Sequence, residues 1–150
     1  MPIRCEIVSQ DRPVFEGEAD IVVLPGVEGE MGILPNHTPL LTTLNFGIIK
    51  VRSGSVEHVF TVAGGVAEIQ PHIVTVLADA AENVEDIDVA RAEEARRRAE
   101  SLLVEGPPPD TDSYLAAQAA LRRSDLRLGA VKRFRRRTDM RQSTGGNPGF

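Results

Sequence analysis

The sequence predicts an all-β sandwich followed by a C-terminal antiparallel α-helical hairpin, and three observations carry that expectation. Up to Asp79, apolar and polar residues alternate in short runs broken by Gly and Pro. From Asp88 onward an Ala-, Glu- and Arg-rich stretch repeats its apolar residues at helical spacing instead. The chain then runs into a cluster of arginines. These changes divide it into a sandwich over residues 1–85, a hairpin over 86–131 and a basic tail, predicted to be partly disordered, over 132–150.

The elements follow in order. Pro2–Val8 reads as a first strand, with Ile3, Cys5 and Ile7 on one face and Arg4 and Glu6 on the other. Val14–Leu24 continues as a second run through Gly17, until Pro25-Gly26 breaks it. Residues 26–44 are dense in Gly and Pro but carry Met31, Ile33, Leu34, Leu40 and Leu41, which predicts a structured loop. Gly47–Arg52, Val56–Ala63 and Val66–Gln70 read as three more strands, punctuated by Ser53-Gly54 and Gly64-Gly65. Ile73–Ala78 closes the set after Pro71. Short strands at this spacing indicate an antiparallel sandwich or barrel.

Asp86 is the expected N-cap of the first helix, with Asp88 placing negative charge in its first turn. Ala95, Ala99, Leu102 and Leu103 share a face, and Gly106 with Pro107–Pro109 stops the helix. Thr111 or Asp112 caps a second helix, in which Tyr114, Ala117 and Leu121 share a face. A connection of about five to seven residues suits an antiparallel pair, and the alanines allow close approach of the backbones. Beyond Gly129, five of the six residues Lys132–Arg137 are basic, and disorder is expected over Gln142–Phe150.

Composition narrows the function. The single cysteine, Cys5, has no partner for an internal disulfide and suits a reducing compartment as a small buried thiol. No signal peptide is read at the N-terminus, and no apolar run reaches the ~20 residues of a membrane-spanning helix. The net charge of −5 conceals a division: −6 over Met1–Asp79, −6 over Ala80–Asp112 and +7 over Ser113–Phe150. Such asymmetry speaks of partners. His37, His58 and His72 lack the short spacing of metal ligands, and no nucleophile motif appears. A sugar- or metal-dependent β-barrel enzyme is therefore nearly excluded.

The run Gly29-Glu30-Met31-Gly32-Ile33-Leu34-Pro35-Asn36-His37-Thr38-Pro39-Leu40-Leu41 resembles the signature loop of the epsilon subunit of F-type ATP synthase. Gly64-Gly65, Gln70-Pro71 and Val74–Asp79 stand in that family's order, and Ile87-Asp88-Val89-Ala90-Arg91-Ala92 matches its bacterial I-D-x-x-R-A block. The likeness spans about Pro2 to Leu128. It implies a non-catalytic central-stalk subunit, peripheral to the cytoplasmic face of the bacterial inner membrane. The sandwich would join the gamma subunit to the c-ring. The hairpin would fold down or extend along gamma into the alpha/beta catalytic head, where it inhibits ATP hydrolysis. No cofactor is required, and ATP is a regulatory ligand in some bacterial members.

Three groups of residues become candidates under that resemblance. Glu30, Met31 and His37 would face the c-ring and gamma, whereas the residues alone read equally as a packed, proline-fixed loop. Asp88, Arg91, Arg98, Arg123 and Arg127 would hold ATP; forked guanidinium groups suit phosphate oxygens. Without the resemblance, Asp88–Arg91 reads as an ordinary exposed ion pair. Two departures from the pattern are the long connection Gly106–Asp112 and Asp125, which intrudes between the two later arginines. Lys132, Arg133, Arg135, Arg136 and Arg137 would meet an acidic segment of a catalytic beta subunit. The alternative is a small nucleic-acid-binding module using that basic segment. Only Phe134 is available there to stack on a base, and the acidic remainder of the chain opposes a polyanion.

Overall fold

In the computed structural model, which describes residues 1–10 and 12–135, strand β1 (Ile3–Ser9) buries Ile3, Cys5 and Ile7 completely. Alternation along β3 (Ile21–Gly26) and β7 (Ile73–Ala78) does the same for Val22, Leu24, Val74, Val76 and Ala78. Between them lie β2 (Arg12–Ala19), β4 (Gly29–Ile33), β5 (Leu40–Ser53) and β6 (Val56–Ile69), with β8 (Ala81–Asn83) last. The hydrogen-bonded order is β2-β1-β7-β6-β5-β3-β4, with β8 on β6. Among the described residues only β1 and β7 pair in parallel. The sheet turns back on itself as a sandwich. Phe15 of β2 lies 5.3 Å from the ring of Phe60 of β6, although those strands are not paired.

Two long strands make the turn. The runs expected as separate strands are joined: β5 and β6 each extend over 14 residues. Gly64-Gly65, expected as a boundary, lies inside β6 at φ 89° and 135°. Those angles shift the side-chain parity, so that Phe60 and Val62 point inward before the glycines and Ala67 and Ile69 after them. A Cβ on Gly65 would stand 2.4 Å from the Leu77 carbonyl oxygen, so the strand approaches β7 more closely than any side chain permits.

The run expected over Val14–Leu24 is divided at Asp20. Its amide donates to the Arg52 carbonyl at 2.7 Å, and its carboxylate accepts from the Gly54 amide at 2.7 Å. Those bonds let the chain leave β1's partner strand and enter β3. The expected loop over residues 26–44 contains β4, which returns along β3 through Val27-Glu28. Asn36 holds a left-handed φ of 65° in the connection to β5, and its amide donates to Pro71 at 2.7 Å.

A second compact unit starts at Val84. A 3₁₀ turn, Val84–Asp86, precedes α1 (Val89–Glu105), and α2 (Asp112–Ala130) follows. Asp88 rather than Asp86 is the cap: its carboxylate accepts from the Arg91 amide at 3.1 Å, while Asp86 ends the preceding turn. Gly106 stops α1, since a Cβ there would lie 2.0 Å from the Leu102 carbonyl oxygen. Thr111 caps α2 by accepting from the Tyr114 amide at 3.3 Å. Small residues meet between the helices, with Ala92, Ala99, Ala117 and Ser124 all buried. The Ser124 hydroxyl donates to the Ala120 carbonyl at 2.9 Å, which satisfies the one polar group in that seam. Leu102, expected on the packed face, is 52% exposed. The basic segment does not leave the helix at Gly129; a π-helical turn, Val131–Arg135, continues it with Phe134 buried. Arg136, Arg137 and Gln142–Phe150 lie outside the described residues.

Candidate functional site

Helical spacing and one ion pair define the hairpin's two sides. Arg96 Nε lies 3.0 Å from Asp125 Oδ1 across the helices and 3.3 Å from Glu100 Oε1 along its own. That bridge sets the antiparallel level. Arg98, two residues beyond Arg96, comes level with Arg123, two residues before Asp125; by the same step Glu94 comes level with Arg127. Two residues also turn a helix by about 200°. Arg98 and Arg123 therefore face away from the bridge. Asp125, which separates the arginines in sequence, is directed to the opposite side, where Arg96 engages it.

The side bearing Arg98 is grooved. A cleft of about 550 Å³ is lined on α1 by Ala95, Arg98, Ala99 and Leu102, and on α2 by Ala116, Ala117 and Ala120. A shallower hollow of about 440 Å³, toward Glu94, Arg97 and Ser101, shares Arg98 and Leu102 with it. Positions 91, 95, 98 and 102 form one stripe on α1, and 116, 120, 123 and 127 form one on α2. Of the four expected arginines Arg98 lines the groove, while Arg91, Arg123 and Arg127 lie on the same stripes beyond its lining, toward the other end of the hairpin. Alanine shapes the groove: Ala95, Ala116 and Ala120 leave space beside Leu102, while the buried Ala99 and Ala117 close the seam beneath it.

Each expected residue has its own surroundings. Asp88 is exposed and spends one carboxylate oxygen on the α1 cap. Arg91 and Arg123 are exposed, and Arg127 is half-buried. Arg98 Nη2 stands 3.5 Å from Glu94, with both side chains largely in solvent, a contact too weak to immobilise it. In the other unit, Glu30 and Met31 point to opposite sides of β4. Glu30 is exposed, whereas Met31 packs against the core. The His37 ring Nδ1 lies 2.6 Å from the Thr38 carbonyl oxygen.

The basic segment divides similarly. Lys132 and Arg133 are exposed, and the Arg133 guanidinium lies 5.1 Å from the Phe134 ring centroid. Arg135 turns inward instead. Its Nη2 donates toward the Val84, Glu85 and Ile87 carbonyls at 2.9, 2.8 and 2.7 Å. Sequence reasoning missed this inward turn, the Arg96–Asp125 bridge and Leu102 in the groove. The opposed charges of Arg96 and Asp125 were the available signal, once the helices are laid antiparallel.

Other chemistries find little here. Among the described residues no three His, Cys, Asp or Glu side chains are placed to hold a metal. No described helix is long and apolar enough to cross a membrane. Burial, with the Glu6 carboxylate second, pushes the Cys5 thiol up to about 12, so it stays protonated and inert near neutral pH.

Comparison with known proteins agrees with the two-unit division. Residues 2–84 match the family described as ATP synthase, delta/epsilon chain, beta-sandwich domain, and residues 85–132 match its long alpha-helix domain. An ATP synthase epsilon chain of Dehalococcoides mccartyi is 45% identical over 136 residues, 89% of this chain and 95% of that one. One of Herminiimonas arsenicoxydans is 45% identical over 137 residues, 90% and 96% of the two chains. Among solved structures, a chain of the Euglena gracilis mitochondrial ATP synthase superposes with a TM-score of 0.67 at 23% identity, over 81% of this chain and 76% of its own length. A chain of the Tetrahymena thermophila central stalk and c-ring structure gives 0.58 at 13%, over 87% and 97%. These two likenesses concern the fold. Family matches across both units, together with relatives aligned over nearly their whole length, establish that this chain belongs to the ATP synthase epsilon-chain family, whose members are non-catalytic subunits of that complex.

Proposed function

We propose that this chain works in the central stalk as a coupling and braking subunit, with ATP as the ligand that holds the brake off. The sandwich joins gamma to the c-ring, using the exposed Glu30 rim and the His37 loop. The complex thereby keeps the chain peripheral to the cytoplasmic face of a bacterial inner membrane. The hairpin extends toward the alpha/beta head to inhibit hydrolysis, and its basic end (Lys132, Arg133, Arg135, Arg136 and Arg137) meets acidic beta-subunit surface there.

The observation that supports the regulatory part is the groove lined by Arg98, with Arg91, Arg123 and Arg127 on the stripes that continue from it along the two helices. An apolar floor of alanines beside Leu102 suits a purine ring, and guanidinium forks from two helices suit a polyphosphate. The ligand would touch both helices, so it would bind the closed hairpin better than the open one. Only that difference in affinity can move the equilibrium. At an ATP concentration a hundred times its dissociation constant the shift is about 2.7 kcal/mol, enough to change which form predominates.

Titration calorimetry of the isolated chain with magnesium-free ATP tests the reading. Binding is expected in the unaltered chain and should weaken about 10- to 160-fold in Arg98→Ala or Arg123→Ala, the range for losing one charge-assisted hydrogen bond of about 1.5–3 kcal/mol. No heat at millimolar ATP would remove ATP from the account. A nucleic-acid module is disfavoured, because the chain carries a net charge of −5 and Phe134, the one aromatic ring beside the basic residues, is buried.

A further inference from the structure

We propose that Arg135 is a latch that holds the hairpin closed, and that the latch must open before this cation can serve any partner. The basic segment reads as a solvated tip, yet Arg135 is half-buried and inward-facing. Its Nη2 reaches three backbone carbonyl oxygens of one turn, those of Val84, Glu85 and Ile87. These carbonyls converge because the 3₁₀ turn Val84–Asp86 and the non-helical residues before Val89 leave them outside any continuous helical ladder. Converging carbonyls form a locally negative cradle, and the two N–H bonds of Nη2 are shared among its three oxygens.

Apolar packing supports the same closure. Val84 and Ile87 are 1% and 3% exposed, and Phe134, next to the latch, is 6% exposed. The last turn packs against the first, so the unit's two ends are joined. The π-helical geometry of Val131–Arg135 has a consequence here: wider winding changes where residues 134 and 135 point relative to a continued α-helix. Both the ring and the guanidinium are thereby directed inward.

The closure works at the far end of the hairpin from its connecting loop. The Gly106–Thr111 connection keeps the loop end together by covalent geometry, whereas the open end has the latch and the small-residue seam. Separation of α2 from α1 should therefore begin at Arg135. In the extended arm the same guanidinium would be released, so the latch and the proposed beta-subunit contact are mutually exclusive uses of one charge. That last consequence rests on the function proposed above; the latch itself does not.

The test uses the full chain alone, without ATP or partner. Spin labels are placed at Asp86→Cys and Gly129→Cys. Asp86 is exposed, and a Cβ on Gly129 meets nothing within 4 Å. Cys5 is buried and stays unlabelled. Pulsed dipolar spectroscopy should give one short distance in the otherwise unaltered chain. Arg135→Gln should raise the ratio of long to short distances about tenfold or more, which corresponds to about 1.4 kcal/mol. Lys132→Gln removes an equal charge from the same turn and should leave the distribution unchanged. An unchanged Arg135→Gln distribution, or an equal response to Lys132→Gln, would overturn the latch. Should Arg135→Gln fail to fold, hydrogen exchange in the unaltered chain decides. Amides of Val84–Ile87 and of the last turn are expected to open together; independent opening would refute the closure.

Discussion

Ala99→Leu asks whether the hairpin can open while the sandwich stays folded. Ala99 is 2% exposed and sits in the seam facing α2, where small residues allow the backbones to approach. Leucine adds three carbons that the seam has no room for. Overpacking of this kind costs about 1–3 kcal/mol, so the open-to-closed ratio should rise about 5- to 160-fold. The sandwich has its own buried core, from Ile3 through Phe60 to Val76, and belongs to a separate compact unit. Native-state hydrogen exchange resolves the two. Amides of α1 and α2 should exchange faster by that factor, while those of β1 and β7 keep the rates of the unaltered chain. Equal acceleration of the β1 and β7 amides would show instead that the two units unfold as one.

Other expectations concern single features. Gly65→Ala should lower the sandwich's stability by at least about 2 kcal/mol, since it combines a φ of 135° with a Cβ 2.4 Å from a carbonyl oxygen; urea unfolding reads the loss. A double-mutant cycle on Arg96 and Asp125 should give a coupling energy below about 1 kcal/mol, because both side chains are about half exposed. Cys5 supplies a pH dependence. Its thiol is raised on folding, so the folded chain holds that proton more tightly than the unfolded one. The contribution is complete below the ordinary thiol value of 9.0 and lost as pH climbs from there toward about 12. Chemical denaturation at pH 7 and pH 10 should show that loss in the unaltered chain and a smaller one in Cys5→Ala.

Much of the fold was legible because its period is local. Ile3, Cys5 and Ile7 announce a strand by alternation, and Gly106 and Thr111 announce the ends of the helices through local backbone requirements. What escaped depends on distant partners. Gly64-Gly65 reads as punctuation, but β7 stands so close that only glycine fits within a continuing strand. Asp20 looks like one more polar position until Gly54 supplies its hydrogen bond from 34 residues away. Asp86 and Asp88 are both good caps by composition; the turn at Val84 decides between them. The candidate groove was partly legible, since the arginine spacing fixes the stripes within each helix. Which stripes meet depends on the helices' level, and the Arg96–Asp125 bridge supplies it. Arg135 could not be separated from its basic neighbours, since its three acceptors are backbone carbonyls that carry no side-chain signal.

On the function proposed above, a hairpin held closed cannot brake. The most direct measurement is ATP hydrolysis by the reconstituted complex carrying Arg96→Cys and Asp125→Cys, with the two sites joined by a short bis-maleimide. Their native side chains touch at 3.0 Å, so a short linker spans them with the helices in place. The buried Cys5 thiol should not compete. Hydrolysis should be uninhibited at every ATP concentration when the sites are linked, and inhibited at low ATP when they are not. Equal inhibition in the linked complex would contradict the account.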